Sequence, residues 1–452
     1  MTVAMVLVLL IVGTVTFHFL SPWWFTPIAS NWVAIDDTIS ITFWVTGFVF
    51  IAVNLFMAYA VYRFRRRVGA RAHYEPENKK LEWWLVGLTT LGIVSMLAPG
   101  LVVWAKFVNV PENASVMEVV AQQWHWSYRF PGKDGVLGTV NARFISDENP
   151  FGINPADPNG QDDVLISSQE VHLPIGKPVK MLLRSKDVLH DFAVAQFRVK
   201  MDMVPGMVPY IWFTPTRTGT FDVLCQELCG TAHFAMRGKV VVEEEGAYQK
   251  WLSGHPTYAQ SSAQVVGNAM IGKPLYAMCA SCHGVQGEGN ALLHAPRLAG
   301  QSDWYLKRQL KYFKQGIRGA HEDDVFGKMM APMATTLADE AAVANVVAYI
   351  KTLPTAAAVA AVPTGTGNAQ QRYATNCAIC HGANGQGIQA MNAPRLAGLN
   401  DWYVRTQLKN FRQRIRGAHA DDQYGGQMGL MAATLGDEQV SNDLIAYIAG
   451  LQ

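Results

Sequence analysis

Charge is scarce in this chain. Only 16 % of its 452 residues are Asp, Glu, Lys or Arg, and the net charge is +2. So even a balance leaves no basic field for nucleic acid and no field for an acidic substrate. Cysteine is scarcer still. There are six, all in three close pairs, so no thiol is left over for a separate disulfide framework. The first twenty residues carry no acidic or basic side chain other than His18. They also lack the positive leading region and small-residue cleavage site of an ordinary signal peptide. Two readings of this run stay open: a retained extra membrane helix, or a removed or interfacial segment.

What is abundant is apolar sequence, at 50 % of residues. Residues 39–62 form an uncharged apolar run, with Asn54 its most polar member, and residues 83–105 form another, interrupted by Pro99. Each is long enough to cross about 30 Å of hydrocarbon as a helix. Between them lie Arg63, Arg65, Arg66, Arg67, Arg71, Lys79 and Lys80. A basic loop of this kind stays in the cytoplasm, so everything after Lys106 is expected on the other side.

From residue 116 to 243 the pattern becomes short β-branched runs at 116–120, 164–166, 179–183, 220–224 and 239–242, separated by Gly, Pro and Asn clusters. This predicts a β-sandwich or barrel. After it comes an internal repeat. Ala295-Pro296-Arg297-Leu298-Ala299-Gly300 recurs as Ala393-Pro394-Arg395-Leu396-Ala397-Gly398, Asp303-Trp304-Tyr305 as Asp401-Trp402-Tyr403, and Arg318-Gly319-Ala320-His321 as Arg416-Gly417-Ala418-His419. Residues 305–316 and 340–353 have helical spacing. The implied division is an apolar segment and loop at 1–38, a transmembrane helical hairpin at 39–106, a β-domain at 107–245 and a polar linker at 246–264. A helical domain at 265–353, a flexible linker at 354–369 and a second helical domain at 370–452 follow.

Each repeat carries one Cys-x-x-Cys-His motif: Cys279, Cys282 and His283 in the first, Cys377, Cys380 and His381 in the second. Two cysteines at this spacing bond to the vinyl groups of one haem, and the adjacent histidine becomes the proximal iron ligand. Covalent haem attachment belongs outside the cytoplasm, in agreement with the topology read from the arginines. For the sixth ligand the first repeat offers His321, Met329, Met330 and Met333. Met329 drops out because Gln427 stands in its place. The third pair of cysteines lies in Cys225-Gln-Glu-Leu-Cys229, followed by His233 and Met236, and His190 lies upstream. Two thiolates, two imidazoles and a thioether suit a soft metal such as copper. Spacing alone would also permit a Cys2His2 zinc site.

The repeat units resemble small haem domains of the cytochrome c class. In that class the ligand methionine lies seven residues before a leucine that opens the last helix's Asp-Glu cap. Leu337 and Leu435 hold that place, before Asp339-Glu340 and Asp437-Glu438, so the resemblance implies Met330 and Met428 as axial ligands. Bis-histidine ligation through His321 and His419 is the alternative. Residues 30–245 resemble subunit II of haem–copper oxidases, and the fused haem domains resemble oxidases with cytochrome c attached to this subunit. The resemblance implies a cupredoxin-like all-β domain with a dinuclear CuA centre. In it Cys225 and Cys229 bridge both coppers, His190 and His233 each cap one, Met236 is a weak axial ligand, and Glu227 ligates through its backbone carbonyl. The Glu227 carboxylate would reach a magnesium ion shared with subunit I. Trp124, in Gln122-Gln123-Trp124-His125-Trp126, matches the family's electron uptake point; the plain alternative is a core aromatic. Glu82 matches a glutamate near the mouth of a proton pathway; the alternative is a carboxylate favoured at a helix N-terminus.

The implied function is electron input to a membrane-bound terminal oxidase. Electrons from a periplasmic donor (a cytochrome c, a copper protein or a quinol-oxidising complex) would pass through two c-type haems and CuA to subunit I. Oxygen would be reduced to water there, with proton pumping. Neither apolar segment contains a histidine or an intramembrane acidic pair, so the oxygen site is expected in subunit I, with subunit III as a further partner. The setting implied is a bacterial cytoplasmic membrane, with CuA and the haem domains on its periplasmic side. Two other readings use the same residues: a CuA subunit of a nitric oxide reductase, and an autonomous membrane-tethered electron shuttle.

Overall fold

The computed structural model describes residues 2–451 apart from 22–25, 67–68, 70, 72–75, 147–148, 264, 356–366 and 437. Arg67, Asp437 and most of the linker at 354–369 therefore lie outside the described residues. Three helices are long and apolar enough to cross a membrane: α1 (Thr2–Leu20), α2 (Val33–Arg63) and α3 (Lys79–Val108). The doubtful first run is thus helical, packed on α2 with the His18 and Phe43 rings 5.7 Å apart. Asn54 satisfies its amide within α2, donating to the Phe50 carbonyl at 2.8 Å, as a polar group in hydrocarbon must. Asn78 caps α3 by accepting the Leu81 N–H.

The helices are anchored on the β-domain. The Trp32 indole donates to the Trp212 carbonyl (2.9 Å), the Trp212 indole to Phe107 (2.8 Å) and the Tyr210 hydroxyl to Val108 (2.8 Å). Arg198 clamps Asp36 at 2.6 and 2.8 Å. The start of α2 and the end of α3 therefore meet the β-domain, and Arg63, Lys79 and Lys80 lie at the opposite end of the hairpin.

The β-domain is a sandwich of two five-stranded sheets. Its strands are β1 (Ser115–Gln122), β2 (His125–Phe130), β3 (Val164–Ile166), β4 (Glu170–Pro174), β5 (Val179–Ser185), β6 (His190–Val194), β7 (Val199–Met203), β8 (Tyr210–Phe213), β9 (Gly219–Leu224) and β10 (Arg237–Glu243). One sheet runs β3-β2-β1-β5-β8 and the other β4-β10-β9-β6-β7. Trp126, Tyr128, Phe192, Phe197, Phe213 and Met181 fill the space between them. Arg129 is buried among carboxylates, 2.7 Å from Glu118 and 2.7 Å from Asp163, so its charge is paired where water is excluded.

The stretch 246–264, expected as a polar linker, instead carries α4 (Glu245–Ser253) and α5 (Tyr258–Ser262). The reason is apolar burial. Tyr248, Trp251 and Leu252 pack on the sandwich core, and Tyr258 is buried beside Phe151 and Ile153.

The repeats follow. The first holds α6 (Ala269–His283), α7 (Asp303–Lys314), α8 (Val325–Thr335) and α9 (Glu340–Ile350). The second holds α10 (Gly367–Asn376), α11 (Ala378–His381), α12 (Asp401–Arg412), α13 (Gln423–Thr434) and α14 (Glu438–Ala449). The motif ends one unbroken helix in the first repeat and a broken one in the second. Tyr276 and Tyr373 fill the same place, each donating its hydroxyl at 2.8 Å to the glycine carbonyl after the motif. Tyr373 stands one residue further from its first cysteine than Tyr276 does, and the helix breaks to absorb that residue. Gly284 and Gly382, at φ 83° and 82°, turn the chain where a Cβ would meet Glu288 or Gln386 at 2.3 Å.

Candidate functional site

The copper-type ligands converge. Cys225 follows β9, Met236 precedes β10, and the Cys225 N–H donates to the Met236 carbonyl at 3.3 Å, closing the neck of the loop. Within it the Cys225 and Cys229 sulfurs are 3.7 Å apart. His190 Nδ1 lies 4.0 Å from Cys225 Sγ, and His233 Nδ1 3.4 Å from Cys229 Sγ. Met236 Sδ is 3.8 Å from Cys229 Sγ, and the Glu227 carbonyl is 3.2 Å from Cys225 Sγ. The six expected residues thus gather around the two sulfurs, and both cysteines and Met236 are buried. His190 is oriented by Asp187, whose carboxylate sits 2.8 Å from Nε2 and leaves Nδ1 toward the thiols. Contact with Cys229 pulls the Cys225 thiol well below its ordinary range, and the same contact pushes Cys229 up. A soft cation that takes both as thiolates resolves this conflict. Among the described residues, His190, Cys225 and Cys229 are the one cluster of three or more His, Cys, Asp and Glu side chains. The Glu227 carboxylate stands apart from it, 3.5 Å from Lys200.

Each haem motif lines an apolar pocket. In the first, Cys279, Cys282 and His283 face Met329, Met330 and Met333. In the second, Cys377, Cys380 and His381 face Met428 and Met431. Burial lowers both histidines' affinity for a proton. Nδ1 of His283 is held 2.7 Å from the Pro296 carbonyl, and that of His381 2.8 Å from Pro394, leaving Nε2 free to ligate. Met431 also packs on the β-domain core. His321 and His419 line neither pocket. They are exposed and turned to Asp323 and Asp421 at 3.8 and 3.7 Å.

The repeat arginines meet at the wall between the pockets. Arg318 donates to Tyr403 (3.1 Å) and Gln407 (3.3 Å), and Arg416 reciprocates to Tyr305 (2.9 Å) and Gln309 (3.0 Å). Arg318 lines the first pocket and Arg416 the second, and each keeps a buried Nε–H without a protein acceptor. Haem carries carboxylate side chains that such donors suit, so the residues present fit the group. Sequence reading found these arginines as repeat landmarks and gave them no role.

Trp124 is buried in the β-domain core, and it also lines the second haem pocket together with Gln123. Its indole donates to the Cys229 carbonyl at 3.1 Å, and the Gln123 amide donates to the same oxygen at 2.7 Å. The second repeat is docked there by Gln423 on Ser167, Gln427 on His125, the Tyr424 ring at 5.7 Å from His125, and Met391 at 3.6 Å from Gln122. Burial holds the His125 imidazole down to about 3, so it meets Gln427 as a neutral ring. Glu82 lies exposed in the first turn of α3, at the far end of the hairpin from these sites.

Similarity to known proteins follows the same division. The family model for the periplasmic domain of cytochrome c oxidase subunit II matches residues 115–244. The model for cytochrome c matches residues 269–354 and 367–452. The chain is 62 % identical over 271 residues to an alternative cytochrome c oxidase subunit 2 of Bradyrhizobium diazoefficiens, spanning 60 % of this chain and 97 % of that one. It is 31 % identical to the cytochrome c oxidase subunit 2 of Cereibacter sphaeroides over 46 % of this chain and 74 % of the relative. Among solved structures it is similar to cytochrome c4 from Pseudomonas stutzeri, at 28 % identity and a TM-score of 0.35, over 41 % of this chain and all of that one.

Proposed function

The chain belongs to the cytochrome c oxidase subunit 2 family, and from that premise we propose that it feeds electrons to an oxygen-reducing partner, subunit I, in a bacterial cytoplasmic membrane. Family and domains imply CuA copper and two haems c, which supply the redox chemistry when bound. In this reading Cys225, Cys229, His190, His233, Met236 and the Glu227 carbonyl hold the copper pair. Cys279, Cys282 and His283, and Cys377, Cys380 and His381, hold the haems. Magnesium at the Glu227 carboxylate and proton uptake at Glu82 stay part of the proposal as the family resemblance implies them, as does docking of subunit III.

The observation that carries the reading is the wall shared by the second pocket and the copper loop. Trp124 faces that pocket and hydrogen-bonds the Cys229 carbonyl. The protein thus sets three sites in line: first pocket, second pocket, copper loop. The Arg318–Tyr403 and Arg416–Tyr305 contacts fix the first junction, and Trp124 with Gln123 fixes the second. Trp124, Gln123 and Arg416 are buried at these junctions, which limits the solvent that has to reorganise when charge moves.

Composition tests this. The native complex should contain two haems c and two coppers per chain, with haem and a further copper in the partner. Haem b with non-haem iron in the partner would place the chain in a nitric oxide reductase instead.

The axial ligand is tested separately. Met431 is engaged by the β-domain, which supports Met428, and by the repeat Met330. Met428→Ala should abolish the near-red methionine–iron band of one haem and lower its potential, because the thioether raises it. Met431→Ala should leave that band in place.

A further inference from the structure

The two repeats present the same face to different surroundings. In the second repeat, Met391, Gln423, Tyr424 and Gln427 form the face seated on Gln122 and His125 of the β1–β2 hairpin and on Ser167 just after β3, over Trp124. By the constant offset of the repeat, their counterparts in the first are Leu293, Val325, Phe326 and Met329. These four are exposed, at 45, 57, 38 and 59 %, and the neighbouring Leu292 is 92 % exposed. Leu293, Phe326 and Met329 rim the mouth of the first haem pocket, just as Met391, Tyr424 and Gln427 rim the second. Where the seated face carries Gln423, Tyr424 and Gln427, the open one carries Val325, Phe326 and Met329. An apolar rim around a cofactor pocket, here with the His294 ring stacked on Phe326 at 3.9 Å, marks a contact surface. The charges beside it are mixed: Glu322, Asp323 and Lys328, with Lys328 donating to the Glu322 carbonyl at 2.9 Å.

Resting on the electron-input reading, we propose that this face of the first repeat is the docking site for the external electron donor. The donor is a small extracytoplasmic carrier protein whose redox cofactor lies beneath an apolar, uncharged surface. The argument is continuity within the chain. The second repeat meets the copper-bearing domain through this face, so the face is the one by which a repeat meets an electron partner. In the first repeat it is open, and its side chains ask for apolar contact rather than charge pairing. Because Trp124 is already covered by the second repeat, the donor docks here rather than on the copper domain. Docking of this kind is nearly independent of salt, unlike charge-steered docking.

The test uses the whole complex and a Leu292→Glu/Val325→Glu double variant. Both positions are exposed and outside the pocket lining. The probes are two purified monohaem cytochromes c, one neutral with an apolar haem edge and one with a lysine-ringed edge. The readouts are the carrier's affinity by calorimetry and the second-order rate of haem reduction by stopped flow, at about 20 and about 300 mM salt. The neutral carrier should reduce the wild type at a salt-independent rate. In the variant its affinity and rate should fall about tenfold, while reduction by dithionite, which needs no docking, stays the same. An unchanged affinity in the variant would overturn the proposal. So would faster, salt-sensitive reduction by the lysine-ringed carrier, or a wild-type complex that light scattering shows pairing through this face with a second copy. The electron-input reading fails separately, if electrons on the haems leave the copper oxidised while the carrier still binds.

Discussion

A chain carrying Cys225→Ser assembles with both haems and without the dinuclear copper, and oxygen uptake by its complex falls by more than about a hundredfold. The magnitude follows from the position of the sulfur. Changing a group that only orients a metal ligand costs about 10–100-fold in affinity or activity. Cys225 lies deeper than that, 3.7 Å from Cys229, 4.0 Å from His190 and 3.2 Å from the Glu227 carbonyl. A serine hydroxyl is a hard, weakly acidic donor in a site built from soft ones. The haem pockets share no residue with the loop, so their spectra should be unaltered. Metal analysis and electron paramagnetic resonance on the purified complex check this. Retention of the two-copper signal would remove Cys225 from the ligand set.

Loss of the second haem should block transfer more severely than loss of the first. In Cys377→Ser/Cys380→Ser the first haem still accepts electrons, and the copper is no longer reduced through it. Among the described residues the first pocket is lined by the two repeats and by no part of the β-domain, whereas the second faces Trp124 and Gln123. In Cys279→Ser/Cys282→Ser the protein donor loses its docking partner, but a small reductant such as ascorbate with a mediator still reduces the copper through the second haem. Stopped-flow traces at the haem and copper bands distinguish the two. Equal copper reduction in both variants would mean that the haems act in parallel.

The sites were legible in the sequence because their chemistry is local. Cys-x-x-Cys-His sits in one turn of chain, and Cys225, Cys229, His233 and Met236 sit in one loop. What was not legible depends on contacts between distant segments. β2 was missed because His125 to Phe130 carries Arg129 in a fully buried strand; only the pairing with Glu118 and Asp163 makes that tolerable. β6 was missed because it opens on His190 and Asp191, polar residues held inside by the copper loop and its surroundings. The linker at 246–264 reads as polar by composition, yet Trp251 stacks on His172 at 4.3 Å and makes α4 part of the sandwich. The seating of the second repeat on His125 and Ser167 of the β-domain rests on glutamines that no pattern distinguishes from a solvated face. That the second pocket, not the first, adjoins the copper loop depends on Gln427 against His125 and on Trp124 in the pocket wall, contacts the sequence does not announce.

The alternative roles sort in the same way. His321 and His419 recur in the sequence as faithfully as the methionines, and spacing alone leaves them as ligand candidates. Their side chains turn outward to Asp323 and Asp421 because each follows a tight Arg-Gly-Ala turn that commits the arginine, not the histidine, to the interior. For Trp124 the core-aromatic reading and a place in the second pocket's wall are compatible, and electron uptake there stays part of the proposal. It is a core aromatic by burial and a pocket wall by position.

Magnetic coupling reads out the line from first pocket to second pocket to copper loop. In each single-haem variant, pulsed electron paramagnetic resonance reads how strongly the remaining low-spin haem speeds relaxation of the copper signal. Strong enhancement is expected in Cys279→Ser/Cys282→Ser, which keeps the second haem, and weak enhancement in Cys377→Ser/Cys380→Ser. Stronger enhancement from the first haem would contradict that line.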